Sequence, residues 1–477
     1  CMLIGELVPE AVRYLRDNPE SQDRHAFDHV LVDEYQDLNR AEQVILDLLT
    51  GDGDLTIVGD EDQSIYSFKF AHPEGIAEFP TTHPGTRDED LLECRRCPQI
   101  IVDMANSLIA HNAIRSPRTL TCHKGCPEGE VAVVQWRDMK QEAVGIALTI
   151  HERVKRGDVA PGRVLILAPR RQIGYAVRDA LNEFGTPAHS FFNEEVFDGR
   201  PQDLGASRSQ QAFTLLNLLA SPEDVVSLRC WCGFGTNSLQ SPAWTRLRSH
   251  CLSNNVEPHE ALGQLVAGKI RIPHTRPLAS RYADLQTRLI ELADVCGQEL
   301  IDALFPESEA WAEPFRQVSR AEDEDGDPID PKSLLADLRT RAIQPELPTD
   351  VEYVRVMSLH KSKGLTADMV VVLGCTRGMI PAIIPDHLSP AEQQRFIEEQ
   401  RRLFFVALTR SRGVLILSNF ANMPRDVAHR MRVPVRGGTP TDAQTFASAF
   451  LGELGHSRPE TLKGRAFLDS MGIDIGG

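Results

Sequence analysis

The stretch FDHVLVDEYQD, residues 27–37, joins a short apolar run to a cluster of acidic residues. Its residues 30–32 predict a buried β-strand, because a short apolar run between polar residues is typical of a strand covered on both faces. Asp33 and Glu34 follow directly, so two carboxylates are expected at the C-terminal edge of the strand. Open parallel sheets bind their ligands at this edge.

The residues that follow extend this strand into an α/β unit. Asn39 predicts a helix N-cap and Gly51 predicts the end of the helix. Another strand is predicted at residues 55–58, where Gly59 turns the chain away. The order strand, helix, strand indicates a parallel sheet.

The same alternation recurs later in the chain and is interrupted once. Between residues 196 and 347 it gives way to helical patches separated by Pro and Gly, which predict an inserted, mostly helical domain. The acidic run 321–331 at its end is interpreted as a solvated linker. Further strands are predicted at 131–134, 164–168, 354–357, 369–373 and 414–417, and a long charged helix at about 390–411.

Bulk properties exclude several classes of protein. The 477 residues leave room for several domains. A net charge of -17 argues against a general coating of nucleic acid, so any DNA contact is expected to be local. The longest apolar runs are much shorter than a membrane span, and the first residues lack the basic start and cleavage site of a signal peptide. We therefore expect no membrane partner and a cytoplasmic location.

The ten cysteines include two closely spaced pairs, Cys94-x-x-Cys97 and Cys122-x-x-x-Cys126. Both spacings would suit zinc. However, Cys94 and Cys97 bracket an arginine motif, which tetrahedral ligation would constrain. Without a secretion signal, reduced thiols are the favoured interpretation.

Two adjacent carboxylates at a strand end suit phosphoryl transfer from a nucleotide. Asp33 is expected to hold Mg²⁺, and Glu34 is expected to polarise the attacking water and to reach the metal through water. The alternative is an acidic turn at the protein surface. The block GDEDQSIYSF, residues 59–68, follows closely and favours the catalytic interpretation.

Together the two blocks resemble the UvrD/Rep type of superfamily 1 DNA helicases. The resemblance implies that DEYQD is the Walker B motif and that Gln63 senses the terminal phosphate of ATP. It also implies that Tyr66 and Phe68 contact single-stranded DNA, since stacking on an aromatic ring tolerates any base sequence. Core packing is the alternative for both rings. Lys69 keeps the positive charge that an arginine provides in the family and is a further candidate for contact with the DNA.

Two arginine motifs extend the resemblance. In LECRRCP, Arg96 falls on the arginine that reaches the terminal phosphate. In EEQRRLFFVALTR, Arg410 corresponds to an arginine finger in cis, which stabilises charge on the transferring phosphoryl group. Arg401 and Arg402 lie on the same predicted helix and are interpreted as structural, paired with glutamates one turn away.

The segment VMSLHKSKGL resembles the motif that couples the state of the bound nucleotide to the strength of DNA binding. Ser358, His360 and Lys363 are therefore candidates for contacts with the DNA backbone or with neighbouring motifs. Thr366 follows where the family has a glutamate that binds the nucleotide sugar, so a weaker or different sugar contact is expected.

The resemblance implies an α/β fold with two RecA-like motor domains, the first incomplete and the second whole, and an inserted helical domain. The expected boundaries are 1–80 for the C-terminal part of the first motor domain, 81–195 and 348–425 for the two segments of the second, 196–347 for the inserted domain and 426–477 for a C-terminal extension.

The expected function is that of the C-terminal portion of an ATP-dependent 3′-to-5′ DNA helicase that acts in repair or recombination. It would use ATP and Mg²⁺, translocate on single-stranded DNA, open duplex at junctions and meet repair or replication proteins. The chain contains no GxxxxGKS or GxxxxGKT loop to hold the phosphates, so we expect this polypeptide alone not to hydrolyse ATP. The alternative is a natural ATPase-dead or split protein that binds DNA or a partner.

Overall fold

The computed structural model describes residues 4–67, 70–113, 115–192, 195–323, 326–341 and 351–473. The chain forms two compact units, one made of Cys1–Ser190 with Thr349–Gly477 and the other of Phe191–Pro348. The first unit thus holds the segments predicted as two motor domains together.

A two-stranded parallel sheet carries the acidic stretch in the first unit. Its strands are β1 (His29–Val32) and β2 (Asp54–Ile57), and the neighbouring helices are α1 (Ile4–Asp17), α2 (Arg40–Thr50) and α3 (Glu74–Thr82). The prediction that β1 is buried is wrong, because Leu31 is 68% exposed. Helix α2 packs against this sheet, but the face that carries Leu31 meets solvent.

Helix α2 begins and ends where the sequence predicts. The Asn39 side chain accepts hydrogen bonds from the N–H groups of Ala41 and Glu42, and the Glu42 carboxylate accepts one from the Asn39 N–H. This reciprocal capping box satisfies amides that a helix start leaves unpaired. Gly51 ends the helix with a positive φ of 53°.

A second small sheet follows in the chain. Strands β3 (Glu93–Cys94) and β4 (Thr121–Cys122) run parallel, two residues each. Helix α4 (Gln99–Ile109) connects them, and its buried face includes Ile101.

The main sheet organises the rest of the first unit. Its strands are β5 (Glu130–Asp138), β6 (Val164–Leu167), β7 (Ala188–Ser190), β8 (Val354–Met357), β9 (Ala367–Val372), β10 (Ser411–Pro424), β11 (Asp442–Gln444) and β12 (Thr461–Lys463). The order is β12-β5-β10-β9-β6-β8-β7, with β11 antiparallel to β10 and the other pairs parallel. Every residue of β6 and β8 is buried, as in a sheet covered on both faces. The predicted α/β class is confirmed.

Helices cover this sheet, with bounds α5 (Met139–Arg156), α6 (Arg171–Glu183), α15 (Pro390–Leu408), α16 (Arg425–Met431) and α17 (Gly464–Ser470). Helix α5 packs closely enough on β5 that a Cβ at Gly145 would lie 2.1 Å from the Trp136 ring. Within residues 426–477, predicted as a C-terminal extension, β11 pairs with β10 and β12 pairs with β5.

The second unit is helical, as the sequence predicts. Its helices are α7 (Arg208–Ala220), α8 (Val225–Gly233), α9 (Ser241–Asn254), α10 (Pro258–Val266), α11 (Arg276–Glu291), α12 (Gly297–Leu304), α13 (Glu313–Arg316) and α14 (Pro331–Arg341). Trp231 is 1% exposed in the core, and Phe305 stacks on Phe315 with ring centroids 4.7 Å apart. Ile329, in the run predicted to be a solvated linker, is 4% exposed, so that part of the prediction is wrong.

Candidate functional site

The end of β1 presents two carboxylates at the surface. Asp33 and Glu34 are both exposed, and Glu34 has a left-handed backbone with φ 54°, which is uncommon for a residue with a Cβ and is concentrated at functional sites. Gln36 holds this turn against the end of β2. Its amide Nε2 donates to Glu34, and its Oε1 accepts from the Asp60 N–H at 2.9 Å.

Lys363 lies against this acidic turn. Its Nζ is 2.6 Å from Asp37 Oδ2 and 3.1 Å from Glu34 Oε2, and it donates to the Gln63 carbonyl at 2.9 Å. The side chain is only 7% exposed, and its Nζ is 5.4 Å from the centroid of the Tyr66 ring. Of the two contacts predicted for Lys363, the structure therefore shows the one with neighbouring motifs.

Gln63 contacts residues from both chain segments of the first unit. It ends a short 3-10 helix, and its Nε2 donates to Asp60 Oδ2 at 2.7 Å. Its Oε1 accepts from Arg410 Nη2 at 3.3 Å, although the two residues are 347 positions apart. The predicted phosphate sensor and the predicted arginine finger thus meet.

Arg96 and Arg410 converge on Thr409. Arg96 Nη1 donates to the Thr409 carbonyl at 3.2 Å, and Arg410 Nη2 donates to the Thr409 hydroxyl at 3.1 Å. Burial lowers the pKa of Arg410 to about 10, and the positive charge of Arg96 acts in the same direction. In the described part of the chain no carboxylate forms an ion pair with either guanidinium. Two neighbouring cations of this kind favour an anion such as phosphate.

The predicted DNA-stacking residues are only partly described. Tyr66 is half-buried, and burial, with the nearby Asp37 carboxylate, raises the pKa of its hydroxyl. Phe68 and Lys69 lie outside the described residues.

Ser358 and His360 follow the end of β8. Both are half-buried, and the Ser358 hydroxyl accepts from the Lys361 N–H at 3.4 Å. Burial lowers the pKa of His360, an effect that the Glu399 carboxylate opposes. A neutral imidazole near this loop suits hydrogen bonding better than ion pairing with a phosphate.

Sequence reasoning missed an ion pair beside Gln63. Arg115 donates to both carboxylate oxygens of Asp62, at 3.1 and 2.7 Å, and the two side chains are 13% and 10% exposed. The neighbouring Glu61 carboxylate accepts from the Ser116 N–H. Since 53 residues separate Asp62 from Arg115, no local pattern could reveal the pair.

Helix α15 supports the site through partners far away in sequence. Glu399 accepts from the Ser67 N–H at 3.0 Å and from its hydroxyl at 2.6 Å. Arg401 is structural, as predicted, but its partners are Asn112 at 2.6 Å and Glu453 at 2.7 Å. The expected pairing with a glutamate one turn away is therefore wrong.

The expectation of reduced cysteines also needs correction, because Cys122 and Cys126 form a disulfide. Cys94 and Cys97 are free thiols. A hydrogen bond from Cys97 lowers the pKa of Cys94 to about 5, and the same bond raises the pKa of Cys97.

The donor set at the end of β1 fits Mg²⁺. Oxygen ligands suit this ion, which takes one or two protein carboxylates with phosphate and water rather than a full protein cage. Asp33 offers such a carboxylate at the surface, where the Glu34 N–H donates to one of its oxygens at 2.8 Å. Among the residues with a described position, no helix is long and apolar enough to cross a membrane.

Comparisons with known proteins agree with this geometry. The model of the UvrD/REP helicase N-terminal domain matches residues 4–84, and that of the UvrD-like helicase C-terminal domain matches residues 286–422. ATP-dependent DNA helicase UvrD1 of Mycobacterium tuberculosis is 27% identical over 462 residues, which cover 87% of this chain and 58% of the relative. PcrA helicases of Staphylococcus epidermidis and Leuconostoc citreum are 24% and 27% identical, over 87% and 82% of this chain and 57% and 54% of their own lengths.

The chain therefore spans about 58% of the length of the UvrD1 relative. The two matched domains, the relatives and the convergence of Gln63, Arg96 and Arg410 beside Glu34 agree with one another. The two family models and the relatives support a UvrD-type superfamily 1 helicase.

Proposed function

We propose that this chain is part of an ATP-dependent motor that moves 3′-to-5′ along single-stranded DNA and opens duplex at junctions, in repair or recombination. The observation that carries the proposal is the hydrogen bond of 3.3 Å between Arg410 and Gln63, with Arg96 beside it. Side chains from three distant segments lie together, and their guanidinium and amide groups are of the kind that would donate to a terminal phosphate.

Each residue has a definite task in this proposal. Asp33 would hold Mg²⁺, which neutralises phosphate charge when bound. Glu34 orients and polarises the attacking water, and Gln63 donates to the terminal phosphate. Arg96 and Arg410 stabilise the charge that develops on the phosphoryl group during transfer.

Lys363 gives this site a connection to the loop that follows β8. In the structure its Nζ is bound to Asp37 and Glu34. The ion pair with Lys363 makes the Glu34 carboxylate less able to polarise a water molecule. We propose that nucleotide binding shifts Lys363 away from Glu34, so that Ser358 and His360 move with the same loop and change their grip on DNA.

The first experiment measures DNA binding by fluorescence anisotropy with labelled oligo-dT, blunt duplex and a fork. Single-stranded DNA and the fork are expected to bind more tightly than duplex. Tyr66→Ala should weaken binding of oligo-dT by roughly 5- to 150-fold, since stacking on one base contributes about 1–3 kcal/mol. Tyr14→Ala, at a tyrosine 50% exposed on α1, is the matched control. Equal binding by both variants would contradict the stacking role of Tyr66.

The second experiment measures phosphate release from ATP with and without oligo-dT. We expect no DNA-stimulated hydrolysis by the 477-residue polypeptide, because no GxxxxGKS or GxxxxGKT loop occurs in it. Turnover that Glu34→Gln abolishes would refute this expectation. In a polypeptide that also carries such a loop, Arg410→Ala should lower kcat by about 10³-fold or more, whereas Arg412→Ala, at an exposed position, should not.

A protein that naturally lacks ATPase activity is the second candidate. It would bind oligo-dT with an affinity that nucleotide does not alter. To test it, a fragment that carries a GxxxxGKS or GxxxxGKT loop is added to the chain, and oligo-dT binding is measured with and without Mg²⁺ and a non-hydrolysable ATP analogue. An unchanged anisotropy curve would favour this second candidate.

A further inference from the structure

Four cysteines of the first unit meet around the small sheet of β3 and β4. Cys94 ends β3, Cys122 ends β4, and the two are register partners, on strands that lie about 4.8 Å apart. Cys97 follows Cys94 after one turn of chain, and Cys126 follows Cys122 in the same way. Each strand end and the turn beyond it therefore deliver one cysteine pair to the same edge.

Contacts already join the two pairs. The side chains of Cys94 and Cys97 lie within hydrogen-bonding reach of each other, and the Cys97 thiol donates to the Thr409 carbonyl at 3.4 Å. The Cys122 sulfur lies 3.2 Å from the Cys97 carbonyl oxygen and is bonded to Cys126. The thiolate is the form of cysteine that binds metals.

We infer that Cys94, Cys97, Cys122 and Cys126, with the disulfide reduced, bind one Zn²⁺ as a closed structural site. The spacings C-x₂-C and C-x₃-C fall within the range for zinc ligands, which hold the ion tetrahedrally with Zn–S distances of about 2.3 Å. Four soft sulfur ligands favour zinc over magnesium or calcium.

The site requires a change in the oxidation state of one pair. As the structure stands, no three His, Cys, Asp or Glu side chains within the described ranges are grouped to hold a metal, while Cys122 and Cys126 are bonded to each other. Two molecules of a low-molecular-weight thiol supply two electrons and two protons, which convert the disulfide to two thiols and leave the reductant as its own disulfide. Zn²⁺ then binds the four sulfurs as thiolates, and each proton still bound to a sulfur is released to solvent.

The surroundings suit a site of net negative charge. A tetrathiolate zinc centre carries two negative charges, and Arg96 and Lys124 lie within the two turns that hold the ligands, whereas Arg95 is paired with Glu93. The strands have two residues each, and a two-stranded sheet is marginal without a further crosslink. Zinc would supply that crosslink.

The site would also fix Arg96, which stands between two of the ligands and donates to the Thr409 carbonyl. This consequence rests on the function proposed for Arg96, but binding of the metal does not. A failure of the ATPase or DNA experiments would thus leave the zinc measurement unaffected.

The test is elemental analysis of the protein purified with a small reducing thiol and dialysed without chelator. One zinc per chain is expected for the wild type. Cys94→Ser and Cys122→Ser should each lower the zinc content by about tenfold or more. Cys230→Ser is the matched control, because Cys230 is an exposed free thiol in the unit Phe191–Pro348, and it should keep the full zinc content.

A wild-type zinc content no higher than that of Cys94→Ser would overturn the inference. So would a Cys122–Cys126 disulfide that persists, by peptide mass spectrometry, in the reduced preparation. Because a serine variant could fail to fold, Co²⁺ is added to chelator-treated wild type as a second measurement. Thiolate-to-cobalt charge-transfer bands with the d–d bands of a tetrahedral ion are expected, and their absence also overturns the inference.

Discussion

Glu142 provides a buried carboxyl whose titration should control the stability of the first unit. It is 0% exposed in α5, where its Oε1 accepts from the Ser418 hydroxyl at 2.6 Å and from the Gly374 N–H at 3.1 Å. Burial raises its pKa from 4.5 to about 7, an effect that these two hydrogen bonds only partly oppose. The folded protein therefore keeps the proton on Glu142 at a pH at which the unfolded chain has lost it.

The sign of the effect follows from linkage. Between pH 4.5 and about 7 the folded state binds more protons than the unfolded state, so the contribution of Glu142 to the free energy of unfolding falls as pH rises. At about 1.36 kcal/mol per pH unit, the loss is roughly 1 kcal/mol at pH 5 and roughly 3 kcal/mol at pH 8. Above pH 8 the contribution changes little further.

Glu142→Gln removes this titration while it keeps the shape of the side chain. The difference between variant and wild type in free energy of unfolding should therefore shift by roughly 2 kcal/mol in favour of the variant between pH 5 and pH 8. Comparing the two proteins at each pH cancels every other titrating group. Glu152→Gln, on the same helix but 24% exposed, is the matched control.

The assay is urea denaturation followed by ¹⁹F NMR of protein labelled with 5-fluorotryptophan. Trp136 reports on the first unit, and the other three tryptophans belong to the unit Phe191–Pro348. The Trp136 indole N–H donates to the Ser418 hydroxyl, which in turn donates to Glu142. The probe is therefore close to Glu142. A shift below about 0.5 kcal/mol, or a shift of opposite sign, would refute the reasoning.

Three further variants test packing and pairing in separate places by urea denaturation. Arg115→Ala leaves the Asp62 carboxylate buried without its partner and should cost about 3–5 kcal/mol; a cost under 1 kcal/mol would show that the pair is effectively solvated. Gly145→Ala places a Cβ 2.1 Å from the Trp136 ring and should cost about 1–3 kcal/mol despite the better helix propensity of alanine, so a stabilised variant would contradict the packing. Phe315→Ala should destabilise the unit Phe191–Pro348 by about 3–5 kcal/mol and leave the Trp136 transition unchanged. Loss of both transitions together would contradict the expectation that the two units have independent cores.

Local patterns predicted much of the fold because they depend on neighbours in sequence. Apolar runs marked the strands of the main sheet, and the cap at Asn39 and the stop at Gly51 mark helix ends that the structure shows. Burial was less predictable: the apolar run of β1 leaves Leu31 exposed, and Ile329 lies in a core although its neighbours are acidic. Exposure depends on what packs against a residue, which the run itself does not contain.

The sequence alone predicted a UvrD/Rep-type helicase and proposed which residues surround the phosphate, because DEYQD, Gln63, Arg96 and Arg410 are recognised by type and spacing. Only the tertiary structure decided which of them touch. A pair such as Arg410 and Gln63 depends on chain segments that are 347 residues apart, and the partners of a side chain over such a distance are set by the packing of strands and helices. The same physical reason places Lys363 on Glu34 and sets Cys94 beside Cys122.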